Sequence, residues 1–212
     1  MNNMTQNPFK KIFEEKYEQL LQHPEMQKIK NFLSNLLSID DQDFMFMITN
    51  ELGNTVTLYA SKQNNNPIQS ITLKLYSNAD SFIPSIVFAS AYDSYSIIKS
   101  YTKPSNILLP ECNIPLYNEV QFGKAIFHEL GGCDIDEISD VLFDVASDEE
   151  MVETIAFQMA QTLTIIKICE LLHDACLLLV QGDRFKKLSI TKPFSFFITI
   201  DDKEYITGVT ID

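Results

Sequence analysis

The stretch from Leu163 to Val180 is the most apolar in the chain, and its only charged or basic interruptions are Lys167, Glu170, His173 and Asp174. Each of these would cost about 2.5–3.5 kcal/mol or less at the centre of a bilayer, depending on residue and depth. The stretch therefore reads as a core helix and not as a membrane span. Ser147 and Glu150 stand three apart ahead of it, in a capping-box arrangement that lets each side chain satisfy an otherwise orphaned backbone N–H. A helix from near Asp148 to Gln181, stopped at Gly182, would be about 51 Å long. A domain of 212 residues is roughly 43 Å across. Such a helix is expected to bend, break or protrude, most readily at Gln161-Thr162-Leu163-Thr164 with its two β-branched threonines.

The rest of the chain has to cover that helix. From Pro8 to Leu37 apolar residues recur at helical spacing, and the spacing predicts two helices broken at His23-Pro24. From Asp43 the period changes to two: Phe44, Phe46 and Ile48 alternate with Met45, Met47 and Thr49. Leu52-Gly53-Asn54 supplies turn chemistry, and Val56, Leu58 and Ala60 follow in alternation. That pattern predicts a hairpin. Lys62 to Pro67 reads as a polar loop, Ile71 to Tyr76 as a strand, and Ser85 to Ala91 as another. Between Tyr92 and Pro115 the signal supports only a short helix around Ser94 to Tyr101. A helix over Tyr117 to Leu130 is expected to end at Gly131-Gly132, and another begins near Ile135, where Asp134 and Glu137 form a second capping box. The chain closes with a second hairpin, in which Phe194, Phe196, Ile198 and Ile200 share one face, Asp201 to Lys203 turn, and Tyr205, Val209 and Ile211 return. The expected fold is α+β: residues 1–7 as a flexible tail, and 8–212 as one domain with an antiparallel sheet of five to six strands covered by helices, one of them long and in the C-terminal half.

No motif for common nucleotide, serine-hydrolase or zinc-helix chemistry occurs; the six glycines form neither a dinucleotide fingerprint nor a phosphate loop. No cofactor is expected. Cys169, His173 and Cys176 share a helix face and are competent zinc ligands, but the same face carries Ile155, Met159, Thr162, Ile166 and Val180. The reading is a packed stripe with one hydrogen-bonded histidine. His128 and Glu129, adjacent in a predicted helix, would point about 100° apart and not share a substrate. Tyr92 and Tyr95, set among small polar residues, have the composition of a binding loop. Four dispersed cysteines and a polar N-terminus without a secretory pattern fit a reducing cytoplasm.

Charge is the feature least like background. The chain carries 29 acids against 16 lysines and arginines, a net charge of −13. That balance disfavours binding to a phosphate backbone or an anionic membrane. Between Lys124 and Lys167 there is no base, while Glu129, Asp134, Asp136, Glu137, Asp140, Asp144, Asp148, Glu149, Glu150 and Glu153 are all acidic. Helix dipoles favour acids in first turns by a few tenths of a kcal/mol to about one, but do not explain why bases are missing over the whole interval. A solvated acidic face that aids solubility is the ordinary meaning of such a run. The sharper expectation is a recognition surface for a basic protein partner, on a non-enzymatic interaction protein of the immunity-protein or antitoxin kind that neutralises a nuclease-like toxin. The alternative from another class is a metal-dependent hydrolase using some of the same carboxylates with His128 or His173. A third is a homodimer formed along the long helix.

Overall fold

A computed structural model of the chain describes residues 7–38, 40–77, 84–104, 113–128, 131–133, 154–200 and 204–212. Its central element is helix α4, Ile155–Gln181, whose N-cap Thr154 accepts the backbone N–H of Phe157. At 1.5 Å per residue it is about 40 Å long. The stretch around Thr162 and Thr164 does not break it: their hydroxyls donate to the carbonyls of Gln158 and Ala160, one turn back, and the helix runs through. Its C-cap is Gly182, as the sequence predicts. The capping box at Ser147 and Glu150, and the helix expected from Ile135, lie outside the described residues.

Helix α4 is enclosed by α1 (Pro8–Leu21), α3 (Asp41–Lys62) and the sheet. The N-terminal pair of helices is as expected, with α2 at Lys30–Ser38 and a 3-10 turn, Met26–Ile29, following the break at His23-Pro24. Asn7 caps α1 and also donates to the Glu170 carbonyl and the Asp174 carboxylate, which pins the start of α1 to α4.

The hairpin expected over residues 43–60 is a helix. Asp40 caps α3 by accepting from the N–H groups of Gln42 and Asp43, and Asp41 and Asp43 sit in its first turn. The large apolar residues it buries are Phe44, Ile48, Leu52, Val56 and Tyr59, spaced by four and then three. A period of two and a period of four share every second residue. The exposure of Phe46, 76% against 5% for Phe44, separates them. The glycine at position 53 lies within the helix and has a separate cause, given below.

The sheet has eight strands: β1 (Ile68–Ser77), β2 (Pro84–Tyr92), β3 (Tyr95–Pro104), β4 (Asn113–Phe122), β5 (Ala125–His128), β6 (Gly132–Cys133), β7 (Ile190–Ile200) and β8 (Glu204–Ile211). Its order is β3-β4-β8-β7-β1-β2-β5, with β6 also on β2. Every pairing is antiparallel except β1 with β7. The strands predicted at 71–76, 85–91 and 194–211 are present. The short helix expected at 94–101 is strand β3, and the helix expected at 117–130 is replaced by β4 and β5. Gly131 has φ +89 without terminating a helix.

The reason for both corrections is a long-range pairing. Asp93-Ser94 joins β2 to β3, and Gly123-Lys124 joins β4 to β5. The ladder continues across both joints, from Tyr95 opposite Phe122, through the backbone bonds of Gly123 to Ser94 and Asp93 to Lys124, to Tyr92 opposite Ala125. β2–β3 and β4–β5 are thus one bent two-stranded arm. A Cβ on Gly123 would lie 2.0 Å from Ser94 Oγ and 2.5 Å from Asp93 Oδ1, so any larger residue there would push both side chains aside. Because the arm pairs with β1 at one end and with β8 at the other, the sheet curls as a half-barrel.

Candidate functional site

All ten acids of the predicted recognition surface lie outside the described residues, among them Glu129, which follows the exposed His128 at the end of β5. The remaining sequence candidates are placed. Cys169, His173 and Cys176 are each at least 98% buried on α4. His173 Nδ1 lies 3.1 Å from Asp174 Oδ1, and Phe9 meets its ring edge-on. Burial pushes the Cys176 thiol well up from its ordinary value, which suits a packed thiol and opposes a thiolate ligand. The two tyrosines belong to the bend of the arm and not to an open loop. Tyr92 stacks on Phe122, and Tyr95 packs against Phe197 while its hydroxyl reaches Ser195 Oγ at 2.9 Å.

Two polar arrangements without a local sequence pattern join α3 to α4 and to the segment that follows it. The first is a charged junction. Lys167 Nζ, on a side chain only 12% exposed, lies 2.6 Å from Asp41 Oδ2 at the first turn of α3 and 3.5 Å from Glu170 Oε2, with the Phe13 ring below it. Burial raises the Glu170 pKa; Lys167 pulls it back down, and Asp41 and Asp174 push it further up. A single ammonium here serves two carboxylates within a few ångströms.

The second lies just past the C-terminal end of α4, where the chain leaves Gly182 toward β7. Arg184 is the single arginine in the chain. Its side chain folds across α3, where Nη1 meets Asn50 O and Asn50 Oδ1, both at 3.1 Å, and Asn54 Oδ1 at 3.3 Å. Gly53 makes the bed: a Cβ there would stand 2.7 Å from Nη1 and 2.9 Å from Cδ of Arg184. A glycine inside a helix costs about 1 kcal/mol relative to alanine. The Leu52-Gly53-Asn54 that resembles a turn in sequence is thus a seat for a guanidinium. Beside it opens a cleft of about 300 Å³ lined by Phe46, Thr49, Leu178 and Leu179, with Asp183 and Arg184 at the rim. Its one trace in the sequence is the glycine four residues after Thr49, in a stripe whose other apolar positions keep helical spacing.

Among the described residues no group of three or more histidine, cysteine or carboxylate side chains could hold a metal ion, and no helix is long and apolar enough to cross a membrane. The chain matches no protein-family model, and no curated protein and no solved structure matches it.

Proposed function

We propose that the chain is a non-enzymatic interaction protein that binds a basic protein partner through the acids between Glu129 and Glu153, in the manner of an immunity protein or antitoxin that covers a nuclease-like toxin. One observation carries the reading. The interval between Lys124 and Lys167 holds ten of the 29 acids and no lysine or arginine, whereas the remainder of the chain holds 19 acids against 16 lysines and arginines and is close to balance. Among the described residues several charges are met locally: Lys167 by Asp41 and Glu170, Lys186 by Asp183, Lys11 by Glu15. A concentrated field of one sign speeds encounter with a partner of the opposite sign and rejects partners of like charge.

The test begins with capture of the partner from the native host by the wild-type chain. Association is then measured against a variant carrying Asp136→Lys, Asp140→Lys, Asp144→Lys and Glu149→Lys. The association rate is expected to fall by about tenfold or more and its salt dependence to flatten. Unchanged affinity together with unchanged salt dependence would sink the reading.

A further inference from the structure

We propose that the cleft between α3 and the end of α4 binds a small carboxylic acid with an apolar body, of which a medium-chain aliphatic acid is the simplest. Three observations converge on that chemistry. The walls are apolar and two of them are open to solvent, Phe46 at 76% and Leu178 at 47% exposed, in a cavity of about 300 Å³ at the lower end of the range of small-molecule sites. At the rim stands a guanidinium already fixed in place. Its Nη1 is occupied by Asn50 and Asn54, all neutral acceptors, while Nη2 and Nε meet no acceptor among the described residues. That leaves one planar edge of the fork free, the geometry that takes a carboxylate in two parallel hydrogen bonds.

The third observation is a hydroxyl. Thr57, Thr162 and Thr164 each return their hydroxyl to the carbonyl one turn back, as helical threonines do. Thr49 does not: its Oγ1 is buried and without a partner among the described residues, and the residue lines the cleft. It is an unspent donor in the cleft wall, next to where the carboxylate would sit. The acid at the rim, Asp183, is no obstacle. Lys186 donates to it at 2.8 Å and holds its pKa below the ordinary value, so the pair is locally neutral. The run Asp183-Arg184-Phe185-Lys186-Lys187 is net positive in a chain of net charge −13. A phosphate would want more donors than the apolar walls offer, and a cation would face the arginine.

The inference does not depend on the acidic segment and is tested separately on the full chain by calorimetric titration. Octanoate is expected to saturate one site, and octanol, which keeps the tail and loses the charge, to bind at least about tenfold more weakly. In Arg184→Gln, with thermal unfolding followed alongside, octanoate is expected to fall to the level of octanol. Leu178→Glu, at an exposed position, places a carboxylate in the cleft without touching the bed of Arg184, and is expected to abolish octanoate binding. The proposal is overturned if octanoate does not saturate, if octanol binds as tightly, or if either variant leaves octanoate binding unchanged.

Discussion

The two polar contacts between α3 and α4 use the same kinds of atoms to opposite ends. At the Lys167 junction every charge faces a counter-charge, and Lys167 and Glu170 are both nearly removed from water. At the Arg184 bed the cation faces only amide oxygens, and part of its fork is unused. A matched buried cluster is a pin, whose removal is felt as lost stability. A pre-positioned cation with spare donors beside an apolar cleft is a receptor, whose removal is felt as lost binding. Burial alone does not distinguish the two contacts; unspent hydrogen-bonding capacity does.

The largest effect expected follows from breaking the pin. Lys167→Met leaves the Glu170 carboxylate buried without its cation, and the loss is about 2–4 kcal/mol at neutral pH, somewhat below the usual cost for a fully buried pair because Asp41 is half exposed. For a chain of this size that is a fall in Tm of roughly 5–15 °C, read by calorimetry. Octanoate binding at the far end of α4 should persist in the variant at temperatures where it is folded. Arg184→Gln should show the reverse: about 1 kcal/mol or less of stability, since the bonds it loses are exposed, but most of the carboxylate preference.

Glu170 sharpens the comparison through pH. Its pKa is raised above the ordinary 4.5, chiefly by burial, so the folded chain holds that proton more tightly than the unfolded one. The group's contribution to stability is therefore greatest below the unfolded value and declines as pH rises from 4.5 through the raised folded value. Glu170→Gln should remove that slope and leave the chain as stable as wild type, or slightly more so, at neutral pH, because Lys167 keeps Asp41 at 2.6 Å. Denaturant titrations at several pH values decide it, and a steeper slope in the variant would show that the pairing with Lys167 outweighs desolvation.

What could be read from the sequence divides along the same physical line. Helix α4, strands β1, β2, β7 and β8, and the loop after Lys62 follow from local pattern: an apolar run ended by glycine, alternations bounded by turn residues. Helix α3 and strands β3 to β5 do not. In α3 a partner distant in sequence, Arg184, selects a glycine that looks like a turn, and the alternation of Phe44, Phe46 and Ile48 mimics a strand. In the arm, Tyr92, Tyr95 and Phe122 take their meaning from stacking across more than twenty residues and from Phe197 and Tyr205 beyond. The same reason hid the cleft. Arg184 and Thr49 are unremarkable until α3 is laid against the end of α4.

Gly53→Ala makes a small expected change in stability and the most discriminating change in binding. Alanine in a helix interior normally gains up to about 1 kcal/mol over glycine. Here the new methyl would stand 2.7 Å from Nη1, the mobile end of the arginine, and 2.9 Å from Cδ, so the side chain has to lift off α3. The helical gain then offsets the loss of the contacts with Asn50 and Asn54, and Tm should move by no more than a few degrees in either direction. Octanoate affinity should nonetheless drop toward that of octanol, because the guanidinium is no longer held at the rim. In a double variant with Arg184→Gln, the two losses of affinity should not add, since both remove the same fork. An additive loss would mean that Gly53 shapes the cleft by another route, and that the seat under Arg184 serves packing alone.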